Sequence, residues 1–277
     1  MEPFVVSGGE EGQPVLFHIQ DWEARIPGLT AGFSSRRGGV GEGSFDSLNC
    51  ALHVADRPEH VELNRRRIAG AVGTTFEAWT CAEQVHSAEV AVVTLKDRGR
   101  GRLSRADAFA DTDGLITRER GIWLNAFFAD CVPLFFVDPV TRSIGLAHAG
   151  WRGTVQRIAG KTVERMQEAF GAKPETIRAA IGPSIGECCY EVDEAVIREV
   201  QAGLPDVTEG WTRRENGKFM LDLKQINTQI LSKAGILPEH IEITQWCTSC
   251  NTDWFFSHRK ESGRTGRMTA WIGLDLF

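Results

Sequence analysis

What this 277-residue chain lacks narrows its class before any motif is read. No apolar run approaches the length of a bilayer span, and the opening Met1-Glu2-Pro3-Phe4-Val5-Val6 has neither a basic segment nor a long apolar stretch. A membrane protein and a secretory leader are therefore not expected. Positive charge is short as well. Lys and Arg number 31 against 37 Asp and Glu, a net −6 that argues against a general nucleic-acid binder. An anionic ligand would have to be met by a local cluster of arginines. No internal repeat, low-complexity tract or linker interrupts the chain, so one domain over residues 1–277 is expected. The cysteines number seven, an odd count that suits reduced thiols in a cytoplasmic protein better than a disulfide framework.

What is present centres on residues 129–153. Two apolar, β-branched or aromatic runs, 132–137 and 143–147, are separated by the turn-forming Asp138-Pro139 and read as buried strands. Reactive side chains stand at their ends, Asp130 and Cys131 before the first and His148 after the second. A helical pattern follows, with Thr154 as a candidate cap and Val155, Ile158, Val163 and Met166 at helical spacing. His148, Trp151 and Arg152 then fall on a strand-to-helix turn, where backbone N–H groups favour an anion. Further strands are expected at 15–19, 29–35, 177–181 and 241–246, and a helix start at Asp56-Arg57-Pro58-Glu59, with Asp56 as cap. Asp222 and Gln225 form another capping pattern. The polar stretch 201–217 reads as a surface excursion and the basic loop 97–105 as solvated. Arg65, Arg66 and Arg67 are read as structural and expected to divide between solvent and local acids. Helices and strands alternate irregularly, which favours an α+β (mixed α/β) fold.

Three chemistries suit the reactive residues. A catalytic zinc needs three N, S or O ligands and an open position, and His86, Cys131 and His148 supply two imidazoles and a thiolate, though their spacing matches no compact finger. Cys131 with His148 or His86 also meets the residue-type requirement of a Cys–His hydrolase. Cys247 and Cys250 form a Cys-x-x-Cys pair without a partner pair at similar spacing; vicinal Cys188 and Cys189 are a poor geometric match, so metal or redox use of the pair is not expected. The glycine-rich loop from Arg36 to Gly43 lets a backbone approach a ligand closely, yet fits neither the phosphate loop of NTPases nor the dinucleotide fingerprint.

Taken together the motifs resemble the laccase-domain or YfiH-type family, described variously as polyphenol oxidases, purine nucleoside phosphorylases and peptidoglycan editing factors. The resemblance rests on Ser35-Arg36-Arg37-Gly38-Gly39 with Ser47-Leu48-Asn49, Asn64-Arg65-Arg66, Gln84-Val85-His86, Ala129-Asp130-Cys131-Val132-Pro133, His148-Ala149-Gly150-Trp151-Arg152-Gly153, Ile181-Gly182-Pro183-Ser184-Ile185-Gly186, Phe256-Ser257-His258-Arg259 and Thr265-Gly266-Arg267-Met268. It implies zinc on His86, Cys131 and His148, a site whose Cys and His donors can also take copper, and a fold of mixed sheets flanked by helices, similar to bacterial toxin cysteine hydrolases. It further implies phosphorolysis of adenosine, inosine and methylthioadenosine, with adenosine deamination as a second reaction. Purine nucleoside and phosphate are then the expected partners. Asp130 is the candidate proton carrier, and Arg36, Arg152, Asn49 and Arg259 are candidates for holding phosphate and substrate, with Arg267 beside them. Hydrolysis of a peptidoglycan precursor and copper-supported phenol oxidation are the alternatives. A multicopper oxidase relies on His-x-His and His-Cys-His pairs; this chain has seven histidines and none so paired.

Overall fold

The computed structural model describes residues 1–9 and 12–275. Two six-stranded mixed sheets lie face to face, and helices cover their outer faces. The first sheet runs Phe4–Ser7, Leu16–Ile19, Leu29–Ser34, Met268–Leu274, Trp123–Phe128, Trp79–Cys81. The second runs Ile241–Ile243, Arg178–Ile181, Val132–Asp138, Ser143–Ala149, Gly114–Thr117, Val90–Val92.

Strand chemistry explains the layering. Successive side chains point to opposite faces, so a strand covered on both sides reads as a continuous apolar run. In Val132–Asp138, Phe135 and Val137 face the opposing sheet, whereas Val132, Leu134 and Phe136 face helices Ile158–Phe170 and Leu223–Lys233, which answer with Ile158, Val163, Met166, Ile226 and Ile230. In Met268–Leu274, Ala270, Ile272 and Leu274 point between the sheets. Trp271 points outward into a cluster capped by Ile68 and Ala69 of helix Pro58–Ala71. Trp271 lies opposite Gly32 in the ladder, and a Cβ there would run into its ring, so glycine makes the space the indole fills. No helix of the described residues is long and apolar enough to cross a membrane.

Local competition moved several expected boundaries. Asp56 does not cap its helix: its carboxylate accepts from the Arg57 backbone N–H at 2.8 Å and from Asn49 Nδ2 at 2.9 Å, and Arg57 is the flanking residue. The helix expected from Thr154 is two, Trp151–Val155 and Ile158–Phe170, broken where Arg157 turns left-handed at φ 62°. Thr154 lies inside the first piece, with its hydroxyl accepting from Asn227 Nδ2. The polar stretch 201–217 contributes strand Trp211–Arg213, which pairs with Phe219–Leu221 in a three-stranded sheet completed by Glu191–Val192. Backbone pairing around the turn at Gly217 does this without an apolar pattern to announce it. Arg65 meets no acid. It is buried, donates to the carbonyls of Cys50, Gly101 and Arg102, and stacks on Phe127 at 4.4 Å. Neither is the basic loop merely solvated, since Arg98, Arg100 and Arg102 each donate to backbone carbonyls around it.

Trp271→Ala should leave a cavity that the flanking strands cannot close, at a cost of about 3–5 kcal/mol. Urea unfolding of the two proteins measures it, and a loss below about 1 kcal/mol would contradict this account of the layer.

Candidate metal centre

Cys131 immediately precedes strand Val132–Asp138, and His148 lies within Ser143–Ala149, paired with Pro133 rather than following the strand as expected. His86 arrives from the other sheet, on the loop after Trp79–Cys81. Gln84 aims that loop. Its amide donates to the Phe127 carbonyl and accepts from the Phe127 N–H, both at 2.8 Å, imitating a strand neighbour. Gln84, His86 and Asp130 all adopt left-handed backbones, with φ of 61°, 64° and 85°. Non-glycine residues hold such angles only when their surroundings fix them.

For His86 the fixing group is Asp113, buried at 1% exposure. Its Oδ1 lies 2.7 Å from His148 Nδ1 and accepts from the His86 backbone N–H at 3.1 Å. Its Oδ2 accepts from the N–H groups of Val85 and Ser87 and from the Ser87 hydroxyl. With Nδ1 committed to the carboxylate, His148 presents Nε2 to the centre. The ligand atoms of His86, Cys131 and His148 all lie within 4.8 Å of one another, and Cys131 Sγ is 3.9 Å from His86 Nε2. Tetrahedral zinc with bonds of about 2.0–2.3 Å sets its ligands roughly 3.3–3.8 Å apart, so the trio fits such an ion with small adjustments. Gly150 leaves the room: a Cβ there would sit 2.8 Å from His86 Cδ2 and 3.1 Å from Cys131 Sγ.

Charges reinforce the geometry. Burial opposes ionisation of the Cys131 thiol, but the charge and hydrogen bond of His148, with His86, bring it down to about 6. Burial likewise opposes the His148 imidazolium, yet Cys131 and Asp113 together raise it to about 10. The Cys131 thiolate and the His148 imidazolium thus favour one another.

The trio lines a cavity of about 440 Å³. Around it stand three guanidiniums. Arg152 stacks on Trp151 at 4.5 Å. Arg259 lies 5.0 Å from the Tyr190 ring and donates to the Glu191 carbonyl, and Arg267 donates to the carbonyls of Thr265 and Gly266. Burial, aided by the Cys131 charge, pushes the Tyr190 phenol up to about 12. Burial and Arg267 push His53 down to about 4, so it faces the cavity neutral.

Of the residues singled out from sequence, His86, Cys131, His148, Asp130, Arg152 and Arg259 meet at this cavity, and Arg36 and Asn49 do not. Arg36 lies in a separate surface groove, bonded to Glu261 and to the carbonyls of Asp46 and Thr252 and stacked on Phe256. Its glycine-rich loop packs backbone on backbone: a Cβ at Gly38 would strike Gln13 and one at Gly39 would strike Ser47. Asn49 is wholly buried, bonded to Asp56, Ala51 and the Arg267 N–H. Asp130 is at the cavity with both oxygens occupied, one by the Thr248 hydroxyl at 2.6 Å and the other by the Arg259 N–H at 2.7 Å. Sequence reasoning missed Asp113, His53 and Tyr190. It also held Cys188 and Cys189 a poor geometric match for Cys247 and Cys250, whereas the fold places the four sulfurs within 4.8 Å of one another.

Asp113→Asn should weaken zinc binding about 10–100-fold while the protein stays folded; competition with a chromogenic chelator reads this, and unchanged affinity would remove Asp113 from the account. After chelation, iodoacetamide should alkylate Cys131 at a rate half-maximal near pH 6. Peptide mass spectrometry across pH checks it, and a rate still climbing at about pH 8.5, as for an ordinary thiol, would refute the thiolate.

Comparison with known proteins gives the family. The family model described as "Multi-copper polyphenol oxidoreductase laccase" matches residues 30–275. A protein named "Purine nucleoside phosphorylase YlmD" from Geobacillus stearothermophilus is 45% identical over 247 residues, 89% of this chain and 90% of its own length. Its namesake from Bacillus subtilis is 40% identical over 264 residues, 94% of this chain and 95% of its own. The crystal structure of YlmD from Geobacillus stearothermophilus superposes with a TM-score of 0.92 at 42% identity, covering 99% of this chain and 100% of that one. With a cavity built on two histidines and a cysteine, a shared fold and matches along nearly its whole length, the chain belongs to the laccase-like family of the YfiH and YlmD proteins.

Proposed function

We propose that the chain is a zinc-dependent purine nucleoside phosphorylase that converts adenosine, inosine or methylthioadenosine, with phosphate, to the free base and the sugar 1-phosphate, and that adenosine deamination is a second reaction of the same cavity. One juxtaposition carries the reading: the His86, Cys131 and His148 cluster opens on a cavity that also holds three arginines and several aromatic faces. Its volume suits a ligand of nucleoside size. In phosphorolysis a phosphate oxygen attacks the anomeric carbon, the glycosidic bond breaks, and its electron pair leaves with the purine, which takes up a proton. Arg152, Arg259 and Arg267 would hold the phosphate, since planar guanidiniums bind its oxygens in pairs. Trp151, Tyr190 and Phe127 offer ring faces to the purine. Asp130 acts as a positioning residue, because its oxygens are already engaged by Thr248 and Arg259. Zinc on the trio would supply Lewis-acid charge and an activated water, the chemistry that deamination at purine C6 requires.

A second reading has its own observation. Cys131, His148 and Asp113 stand in the order of a thiol nucleophile, its base and the carboxylate that orients the base. That arrangement suits hydrolysis of an amide, as in a peptidoglycan precursor, without a metal.

Metal-replete protein incubated with inosine and phosphate should release hypoxanthine; Cys131→Ala should abolish this, and Arg152→Ala should cost about 10–100-fold in kcat/KM, felt chiefly through phosphate. Absence of phosphate-dependent release, together with chelator-resistant amide hydrolysis that needs Cys131, would replace the first reading with the second. Metal analysis of the same preparation distinguishes zinc from copper, which soft Cys and His donors also bind strongly.

A further inference from the structure

Two loops far apart in sequence converge beside the cavity. The 182–190 loop carries the vicinal Cys188 and Cys189, and the turn after Thr244 carries Cys247 and Cys250. A parallel bridge between Ser184 and Cys247, with the Thr248 N–H donating to the Ser184 carbonyl at 3.1 Å, sets the two in register. We infer that Cys188, Cys189, Cys247 and Cys250 bind a second metal ion as a four-sulfur site of the zinc type, separate from the His86, Cys131 and His148 centre.

The sulfur positions carry the inference. All four lie within 4.8 Å of one another, and Cys250 Sγ is 3.5 Å from that of Cys188 and 3.4 Å from that of Cys189. Sulfurs around tetrahedral zinc, at bonds of about 2.3 Å, stand roughly 3.8 Å apart, within the spread seen here. Both loops are shaped for convergence. The Cys189 N–H returns to the Gly186 carbonyl at 3.0 Å, a turn that lets both vicinal sulfurs face Cys250 and removes the geometric objection the bare sequence raises. Asn251 holds the Cys247 carbonyl through its backbone N–H and its side-chain amide, tightening the Cys-x-x-Cys turn. Gly186 donates its N–H to Cys247 Sγ at 3.2 Å, as backbone amides do around thiolates, and a Cβ at that position would lie 3.3 Å from Cys188 Sγ. Four thiolates around a divalent ion carry surplus negative charge. The buried Lys224 ammonium, held by the carbonyls of Thr244 and Trp246, is a cation within the field of Cys247 and Cys188.

The ion would staple part of the cavity wall. Ile185 and Tyr190 line the cavity from one loop, and Thr248 holds Asp130 from the other. Its role is structural, and it stands whether or not nucleosides are the substrate.

Full-length protein purified from zinc-supplemented cells should contain two metal ions per chain by mass spectrometry. Cys131→Ala/His148→Ala should retain one, whose X-ray absorption shows four sulfurs at about 2.3 Å. Cys247→Ser/Cys250→Ser should lose that ion, keep the other and unfold at a lower temperature. If the second variant does not fold, the sulfur shell in the first decides alone. Loss of all metal from Cys131→Ala/His148→Ala, a shell containing nitrogen or oxygen, or a Cys188–Cys250 or Cys189–Cys250 disulfide in the protein as isolated would overturn the inference.

Discussion

The Asp113 carboxylate is the constraint on which the centre depends. It sits at the head of strand Gly114–Thr117 in one sheet and grips the Val85–Ser87 backbone of a loop that leaves the other, so a single buried group ties the two layers at the point where the ligands meet. Burial resists its charge, and the hydrogen bond and charge of His148, with Ser87, hold its pKa below the usual carboxylate range all the same. The carboxylate in turn orients His148, which steadies the Cys131 thiolate. A buried charge without partners would be costly; here each charge in the row answers the next.

The cavity also shows how an acidic protein prepares for an anion. Net charge is −6, yet three arginines gather at one opening, each braced by an aromatic ring or by backbone carbonyls. Bracing limits the freedom a long side chain loses when it binds. Elsewhere arginine is used differently. Arg65 is sealed inside the protein, where it joins backbone segments and stacks on Phe127, which shows that an arginine cluster in sequence does not by itself mark a binding surface.

Much of the core was legible because strands buried on both faces leave continuous apolar runs, as at 132–137 and 143–147. The His86, Cys131 and His148 cluster was legible by residue type and through the family resemblance, while spacing alone left it open. Asp113 was not: a lone aspartate before a glycine and a strand looks like any turn residue, and its partners are set only when two sheets meet. The cysteine quartet was hidden for a related reason, since the parallel pairing of Arg178–Ile181 with Ile241–Ile243 is what draws the two loops together. Arg36 and Asn49 misled in the opposite direction. Glycines that could admit a ligand instead admit neighbouring backbone, and an asparagine with a suggestive motif spends its amide on buried partners.

The chain contains one tyrosine, and the fold sets it against the cavity beneath Arg259. Uniform incorporation of a fluorinated tyrosine therefore marks one position in the whole protein, on the same loop as the vicinal cysteines. Its single fluorine resonance would register occupancy of the pocket and the state of that loop, free of overlap from any other phenol.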